Sequence, residues 1–149
     1  MFDKNQIIPM ACDHGGFEIK EYLKTKLEKL GYTIHDMGVL SNESVDYPDM
    51  IHPLARDVND GKYTLGIILC GSGNGAQMTA NKYPNVRAAL CWSLEQAILA
   101  REHNNANIMS LPGRIVKNAL AMEMTLNFLN TDFEGGRHQR RVEKISKTL

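Results

Sequence analysis

Three cysteines in 149 residues, an odd set with no Cys-x-x-Cys pair, leave no disulfide framework and no cysteine-rich metal module. Charge of one sign is missing as well, since Lys+Arg and Asp+Glu are both 17. Without a basic excess the chain has no general attraction for nucleic acid or an anionic membrane, and neither is expected as a partner. The same neutrality gives little electrostatic protection against self-association, so an oligomer is permitted. No apolar run approaches the ~20 residues of a membrane span. The opening Met1-Phe2-Asp3-Lys4-Asn5-Gln6 lacks the layout of a secretory signal. Cys12, Cys70 and Cys91 each close a short β-like run, which suits free thiols in a reducing compartment, and the expected location is cytoplasmic. There is no internal repeat and no low-complexity stretch.

What is there is an ordinary globular composition, 43% hydrophobic and 23% charged, in a chain of a length that suits one domain over 1–149. Strand-like and helix-like segments alternate along it. Ile7–Cys12 reads as a first buried strand, with Pro9 an awkward residue inside it. Ile19, Leu23, Leu27 and Leu30 recur at helical spacing, and Gly31 stops that helix. Tyr32–Asp36 is a second strand, and Ile51, Leu54, Ala55 and Val58 mark a second helix. Leu65–Leu69 is apolar on both faces, as a central parallel strand is. A glycine loop, a short helix from about Ala76, and a strand over Val86–Leu90 follow. Ser93-Leu94-Glu95-Gln96 has the form of a capping box and opens another helix. Ile108–Leu111 is a fifth strand, and a long helix runs from about Ile115 to Leu129. This alternation predicts an α/β fold, an open and mostly parallel sheet with helices on both faces. The tail, residues 133–149, breaks the rhythm. It is basic over Arg137–Ile145, with Val142 and Ile145 as its apolar anchors.

In such a sheet ligands bind beyond the C-terminal ends of the strands. Three segments are assigned there: Asp13-His14, Cys70 to Gly75, and His103-Asn104. The densest is Cys70-Gly71-Ser72-Gly73-Asn74-Gly75. Its glycines let backbone approach a ligand and point N–H groups inward, an arrangement suited to an oxyanion or a phosphate. A helix start beside a thiol favours thiolate. The plain alternative is a tight turn with a buried cysteine. Gly71-x-Gly73-x-x-Ala76 formally satisfies the dinucleotide fingerprint, yet it follows the third strand, and Cys91-Trp92 stands where the ribose-binding acid belongs. A cysteine phosphatase needs arginine six positions after its nucleophile, where this chain has Ala76. The Gly-Lys-Ser/Thr end of an NTPase loop is absent. What remains is a thiolate beside an oxyanion cradle, which suits proton abstraction next to a carbonyl. His14 and His103 stand out by position, whereas His35, His52 and His138 read as surface or structural groups. No zinc-ligand spacing occurs, and neither a metal nor another cofactor is expected. Arg114, Arg137 and Arg141 have the planar fork that suits phosphate oxygens, although a basic run is also what a solvated helix face looks like.

The segments Ala11-Cys12-Asp13-His14-Gly15-Gly16-Phe17, Val45-Asp46-Tyr47-Pro48, Cys70 to Gly75, Ala80-Asn81-Lys82, Arg101 to Asn104 and Glu134 to Val142 together resemble the type B ribose-5-phosphate isomerases. The galactose-6-phosphate isomerase subunits fall in the same family by resemblance. The match spans nearly the whole chain with its motifs in order. It implies a Rossmann-like three-layer αβα sandwich with a five-stranded parallel sheet. It also implies a homo-oligomer, dimer or tetramer, with active sites at the subunit interface and the basic tail there. Carried over position by position, Cys70 is the proton-abstracting base, and His103 and Ser72 serve ring opening. Asp13 and Tyr47 line the sugar, while Gly71, Gly73, Asn74, Gly75 and Asn104 hold substrate oxygens. His14, Arg114, Arg137 and Arg141 hold the phosphate. Leu111-Pro112-Gly113-Arg114 departs from the family's more usual Gly-Ser-Arg, so the backbone before Arg114 is expected to differ. Ala76 stands in the region where some members carry a catalytic acid, which favours the cysteine mechanism.

The activity so implied is interconversion of D-ribose 5-phosphate and D-ribulose 5-phosphate through a cis-enediolate, a step of the pentose phosphate pathway. Two alternatives remain: a six-carbon substrate such as galactose 6-phosphate or allose 6-phosphate, and a non-catalytic subunit that only binds sugar phosphate.

Overall fold

Side-chain alternation along the strands decides how the layers stack. In the computed structural model, which describes residues 2–147, the chain runs β1 (Ile7–Cys12), α1 (Phe17–Lys29), β2 (Thr33–Asp36), α2 (Tyr47–Asn59), β3 (Gly66–Cys70), α3 (Asn74–Ala80), β4 (Ala88–Leu90), α4 (Leu94–Glu102), β5 (Ile108–Pro112), α5 (Asn118–Asn130) and α6 (Arg137–Val142). The domain expected over 1–149 includes Met1, Thr148 and Leu149, which lie outside the described residues. Met10, Cys12, Ile67, Leu69, Met109 and Leu111 point to one face of the sheet, where α1, α4 and α5 cover them. Ala11, Ile68, Cys70, Ala88 and Ile108 point to the other, beneath α2 and α3. Successive residues of a strand face opposite ways, so one sheet buries two cores and the result is three layers.

All the strand pairings are parallel, in the order β2-β1-β3-β5-β4. The chain winds outward from β1 in one direction to β2 and in the other to β3, so the switch point of the topology lies between β1 and β3. The loops that carry Asp13 and Cys70 leave the sheet on either side of it.

Pro9 is tolerated for a geometric reason. Met37 N donates to Met10 O and Cys12 N to Gly38 O, so Met10 and Cys12 turn their polar groups toward β2 and its extension. Pro9 therefore faces β3, and that ladder begins only at Met10, paired with Ile67. The missing N–H falls just before the ladder starts.

Helix ends follow local chemistry. Gly31, at φ +86°, closes α1 as a Schellman turn, with Gly31 N donating to Glu28 O and Tyr32 N to Leu27 O. Ser93 Oγ accepts from Gln96 N at 3.3 Å, while the Gln96 side chain reaches back to accept from Trp92 N at 3.0 Å, one residue beyond the usual capping-box return. Pro48 lies in the first turn of α2, so that helix starts at Tyr47, earlier than its apolar stripe indicates. The segment expected to begin a helix at Ile115 is instead a turn, and α5 starts at Asn118. Asn81 has a structural duty: its Oδ1 accepts from Ala88 N at 2.8 Å and its Nδ2 donates to Ala88 O at 2.9 Å, pairing the free edge of β4.

Candidate active site

Three loops at the C-terminal edge of the sheet meet backbone to backbone through glycines. A Cβ on Gly15 would lie 2.8 Å from Gly71 N, and one on Gly113 would run into Gly15 O and lie 2.7 Å from Gly16 Cα. Gly113 N donates to Cys70 O at 2.9 Å and Arg114 N to Gly71 O at 3.0 Å, so the loop after β5 is pinned to the loop after β3. The Leu111-Pro112-Gly113-Arg114 stretch thus continues β5 through Pro112 and turns on a glycine with no space for a side chain. Gly113→Ala is expected to cost ~1–3 kcal/mol by overpacking and to separate Arg114 from Gly71. An unchanged urea midpoint in that variant would show that the contact gives way freely.

The side chains are set by these loops. Asp13, nearly buried, uses Oδ1 to accept from Gly15 N at 2.8 Å and Gly16 N at 3.2 Å, which closes the β1–α1 turn. His14 Nδ1 accepts from Val45 N at 3.4 Å and ties the same turn to the segment before α2. The Tyr47 ring lies over Gly75, where a Cβ would come within 2.6 Å of its Cζ. Arg114 extends across Gly71, its Nε and Nη1 each 3.5 Å from a Cβ placed there. Gly73 caps α3 at φ +77°, a left-handed conformation that favours glycine, and the buried Ser110 hydroxyl donates to its carbonyl at 2.8 Å. The N–H groups of Ser72, Gly73 and Gly75 have no acceptor among the described residues, whereas Asn74 N makes a long contact to Ser72 Oγ, 3.4 Å. With only seven residues in α3, the cradle consists of individual amides more than a macrodipole.

Cys70 ends β3 at 4% exposure, on the α2–α3 face. Burial pushes Cys12 up to about 12 despite the nearby Lys20, and burial does the same to Cys91. Both are fully enclosed and stay protonated at neutral pH.

The remaining expected residues lie elsewhere, and for His103-Asn104 this corrects their assignment to the crevice edge. His103 is the C-cap of α4, and the turn after it runs to Asn107, whose carbonyl accepts from Gly66 N at the start of β3. A helix after a parallel strand returns the chain to the N-terminal edge, so a residue just before a strand lies opposite the crevice. Four residue steps along β3 separate that edge from Cys70, roughly 13 Å. His103 and Asn104 thus share an edge with the tail, where Arg137 and Arg141 lie exposed on α6. A groove of about 660 Å³ along β4, lined by Asn81, Leu90, Leu99 and Ile145 among others, reaches Asn104 and not Cys70.

The tail is anchored by a residue that sequence reasoning passed over. Ile145 is exposed and Val142 half-buried, whereas His138 is nearly buried. Its ring stacks on His103 with centroids 4.2 Å apart and planes 6° from parallel. Glu134 Oε2 lies 3.4 Å from His138 Nε2 and 3.9 Å from His103 Nε2. The one available signal was the Glu134–His138 spacing of four, which on so short a helix carries no periodicity. Two histidines and a carboxylate form the donor set of a zinc site. Near-parallel rings, however, aim their in-plane lone pairs side by side and not at one point, and Arg137 Nε already donates to His138 Nε2 at 3.3 Å. His35 and His52 are structural, bonded to Tyr63 and Tyr83 hydroxyls.

The Cys70 edge thus holds a thiol, open amides, Asp13, His14, Tyr47 and Arg114. The opposite edge holds His103, Asn104, Arg137 and Arg141. Residues 8–145 match the family described as Ribose/Galactose Isomerase. Ribose-5-phosphate isomerase B of Escherichia coli (strain K12) is 37% identical over 139 residues, which is 93% of this chain and 93% of that one. The crystal structure of a ribose 5-phosphate isomerase from Thermotoga maritima superposes with a TM-score of 0.93 at 45% identity, over 96% of this chain and 99% of that chain. That of ribose-5-phosphate isomerase B from Mycoplasma genitalium with bound ribulose-5-phosphate gives a TM-score of 0.90 at 39% identity, over 94% of this chain and 93% of that chain.

Proposed function

The chain belongs to the ribose/galactose isomerase family, and from that premise we propose that it interconverts D-ribose 5-phosphate and D-ribulose 5-phosphate with Cys70 as base. The observation that carries the reading is the Cys70 thiol beside the open amides of Ser72, Gly73 and Gly75. In the open-chain aldose the Cys70 thiolate takes the proton on C2, and the electron pair left behind forms the C1–C2 double bond. Charge moves to O1, where the amides stabilise it. The thiol then returns its proton to C1 as the O2 proton is lost, so hydrogen shifts from C2 to C1 and from O2 to O1. His103 and Ser72 serve the preceding ring opening, and His14, Arg114, Arg137 and Arg141 anchor the phosphate. Asp13, Tyr47, Asn74 and Asn104 hold the sugar. A location in the cytoplasm fits this substrate.

Incubating the protein with ribose 5-phosphate in deuterated water tests the reading. Ribulose 5-phosphate should form with solvent deuterium carried into the sugar, and galactose 6-phosphate and allose 6-phosphate run alongside should react more slowly. Binding without exchange or product would make the chain a sugar-phosphate binder.

Because Cys70 and His103 lie at opposite edges of the sheet, we further propose that each site combines the loop of one protomer with the tail edge of another. Mixing refolded Cys70→Ala and His103→Asn chains should then restore about a quarter of wild-type activity, the statistical share of intact sites in a symmetric dimer. A mixture no more active than its parents would place the site within one chain.

A further inference from the structure

Two side chains at the tail edge have no part in the chemistry so far, and both touch His103. His138 lies flat on its ring at 4.2 Å, and Glu134 Oε2 is 3.9 Å from its Nε2. Glu134 is held there by its backbone, since its N–H donates at 3.0 Å to the carbonyl of Glu102, the residue before His103. Turn chemistry builds the approach: Gly136, at φ +52°, reverses the chain so that α6 returns its second residue onto α4.

Stacked imidazoles at this separation do not both carry charge, because two cations face to face repel. Burial holds His138 below the usual histidine range, and His103, Arg137 and Arg141 add to that, with Glu134 opposing. Its Nε2 also accepts from Arg137 Nε at 3.3 Å, which requires that nitrogen to be unprotonated. The Glu134 carboxylate reaches both rings, with Oε2 3.4 Å from His138 Nε2 and 3.9 Å from His103 Nε2, and of the two His103 is the ring without an arginine donor on that nitrogen.

We infer that Glu134 and His138 are positioning residues for ring opening: the His138 ring fixes the plane of the His103 imidazole, and Glu134 is the counter-charge when His103 takes a proton. The inference rests on the role given to His103 above. In the step concerned, the O1 hydroxyl proton of the furanose passes to His103 and the O1–C1 double bond forms. The C1–O4 bond breaks with its electron pair going to O4, which takes up a proton. Nothing is oxidised or reduced.

The test compares ribose 5-phosphate with its 4-deoxy analogue, which lacks the hydroxyl needed to close a furanose and so needs no opening. Glu134→Gln should lower kcat on ribose 5-phosphate about tenfold with little change in KM, and leave the analogue's turnover within about twofold. His138→Ala should show the same selective loss, and His138→Phe, which keeps a flat ring in place, should recover most of it. Equal losses on both substrates would make the two residues merely structural and overturn the inference, as would no loss on either. A wild-type protein that turns over neither compound would instead bring down the isomerase reading itself, and this inference with it.

Discussion

Cys70→Ala protein is expected to bind ribose 5-phosphate about as well as the wild type and to convert it ~10²–10⁴-fold more slowly, the usual worth of a general base. The substitution removes the one thiol that belongs to the cradle. It leaves Gly113 N bonded to Cys70 O and Arg114 N to Gly71 O, because both bonds use backbone carbonyls. Neither of the other cysteines can substitute. Cys12 and Cys91 are enclosed and pushed up to about 12, and the Cys91 thiol donates to Ala89 O at 3.6 Å within the core. The groups proposed to hold the phosphate are untouched, so the loss should fall on kcat and spare KM. Near-normal turnover would move the base elsewhere, with Asp13 as the first place to look. Against Asp13, its Oδ1 is already engaged by two backbone N–H groups of its own turn.

Much of this site was legible in the sequence because it follows strands. A segment that leaves a parallel strand must lie at the crevice edge, so Asp13 and Cys70 could be placed from order alone. His103 could not be placed in the same way. It precedes β5, and the helix before it carries the chain to the far edge. Reading proximity in sequence to a strand as proximity to the crevice loses the direction of the chain. His138 was illegible for another reason. Its burial depends on contact with α4, and six residues of helix hold less than two full turns of pattern. The fold was the most readable part, since alternating strand and helix periods leave few arrangements. Boundaries such as Tyr47 and Asn118 depended on a proline and a turn that hydrophobic spacing does not report.

A pairing that no local pattern announces gives the second large effect. Lys20 is fully buried on α1, and its Nζ bonds both oxygens of Asp36, at 2.6 and 2.7 Å, at the end of β2. Lys24 Nζ adds a contact to Asp36 Oδ2 at 2.9 Å, and Glu21 Oε1 lies 2.8 Å from Lys20 Nζ. Asp36→Ala would leave the enclosed ammonium with only the half-exposed Glu21, and removing one partner of a buried pair costs ~3–5 kcal/mol. The acid behaviour follows from the same groups. Burial alone would raise the Asp36 carboxyl, but hydrogen bonds from Lys20, Lys24 and Gly38 N, with the Lys20 charge, hold it at about 2 against an ordinary 3.8. A carboxyl depressed in the fold contributes stability that is complete above its unfolded value and is lost as pH falls through the folded one. Wild-type stability should therefore decline between about pH 4 and pH 2, and Asp36→Ala should lack this part of the decline. The effect reaches the site through backbone: Asp36 Oδ1 accepts from Gly38 N at 3.0 Å, and Gly38 O accepts from Cys12 N at 2.8 Å, one residue before Asp13. Urea titrations of Asp36→Ala and of Lys20→Met/Asp36→Leu separate charge from packing. If the unpaired ammonium is the cost, the double variant, with no buried charge, should regain most of the lost stability. A double variant as unstable as the single one would show that the pair's geometry, and not its charge, holds β2 and the Asp13 loop in place.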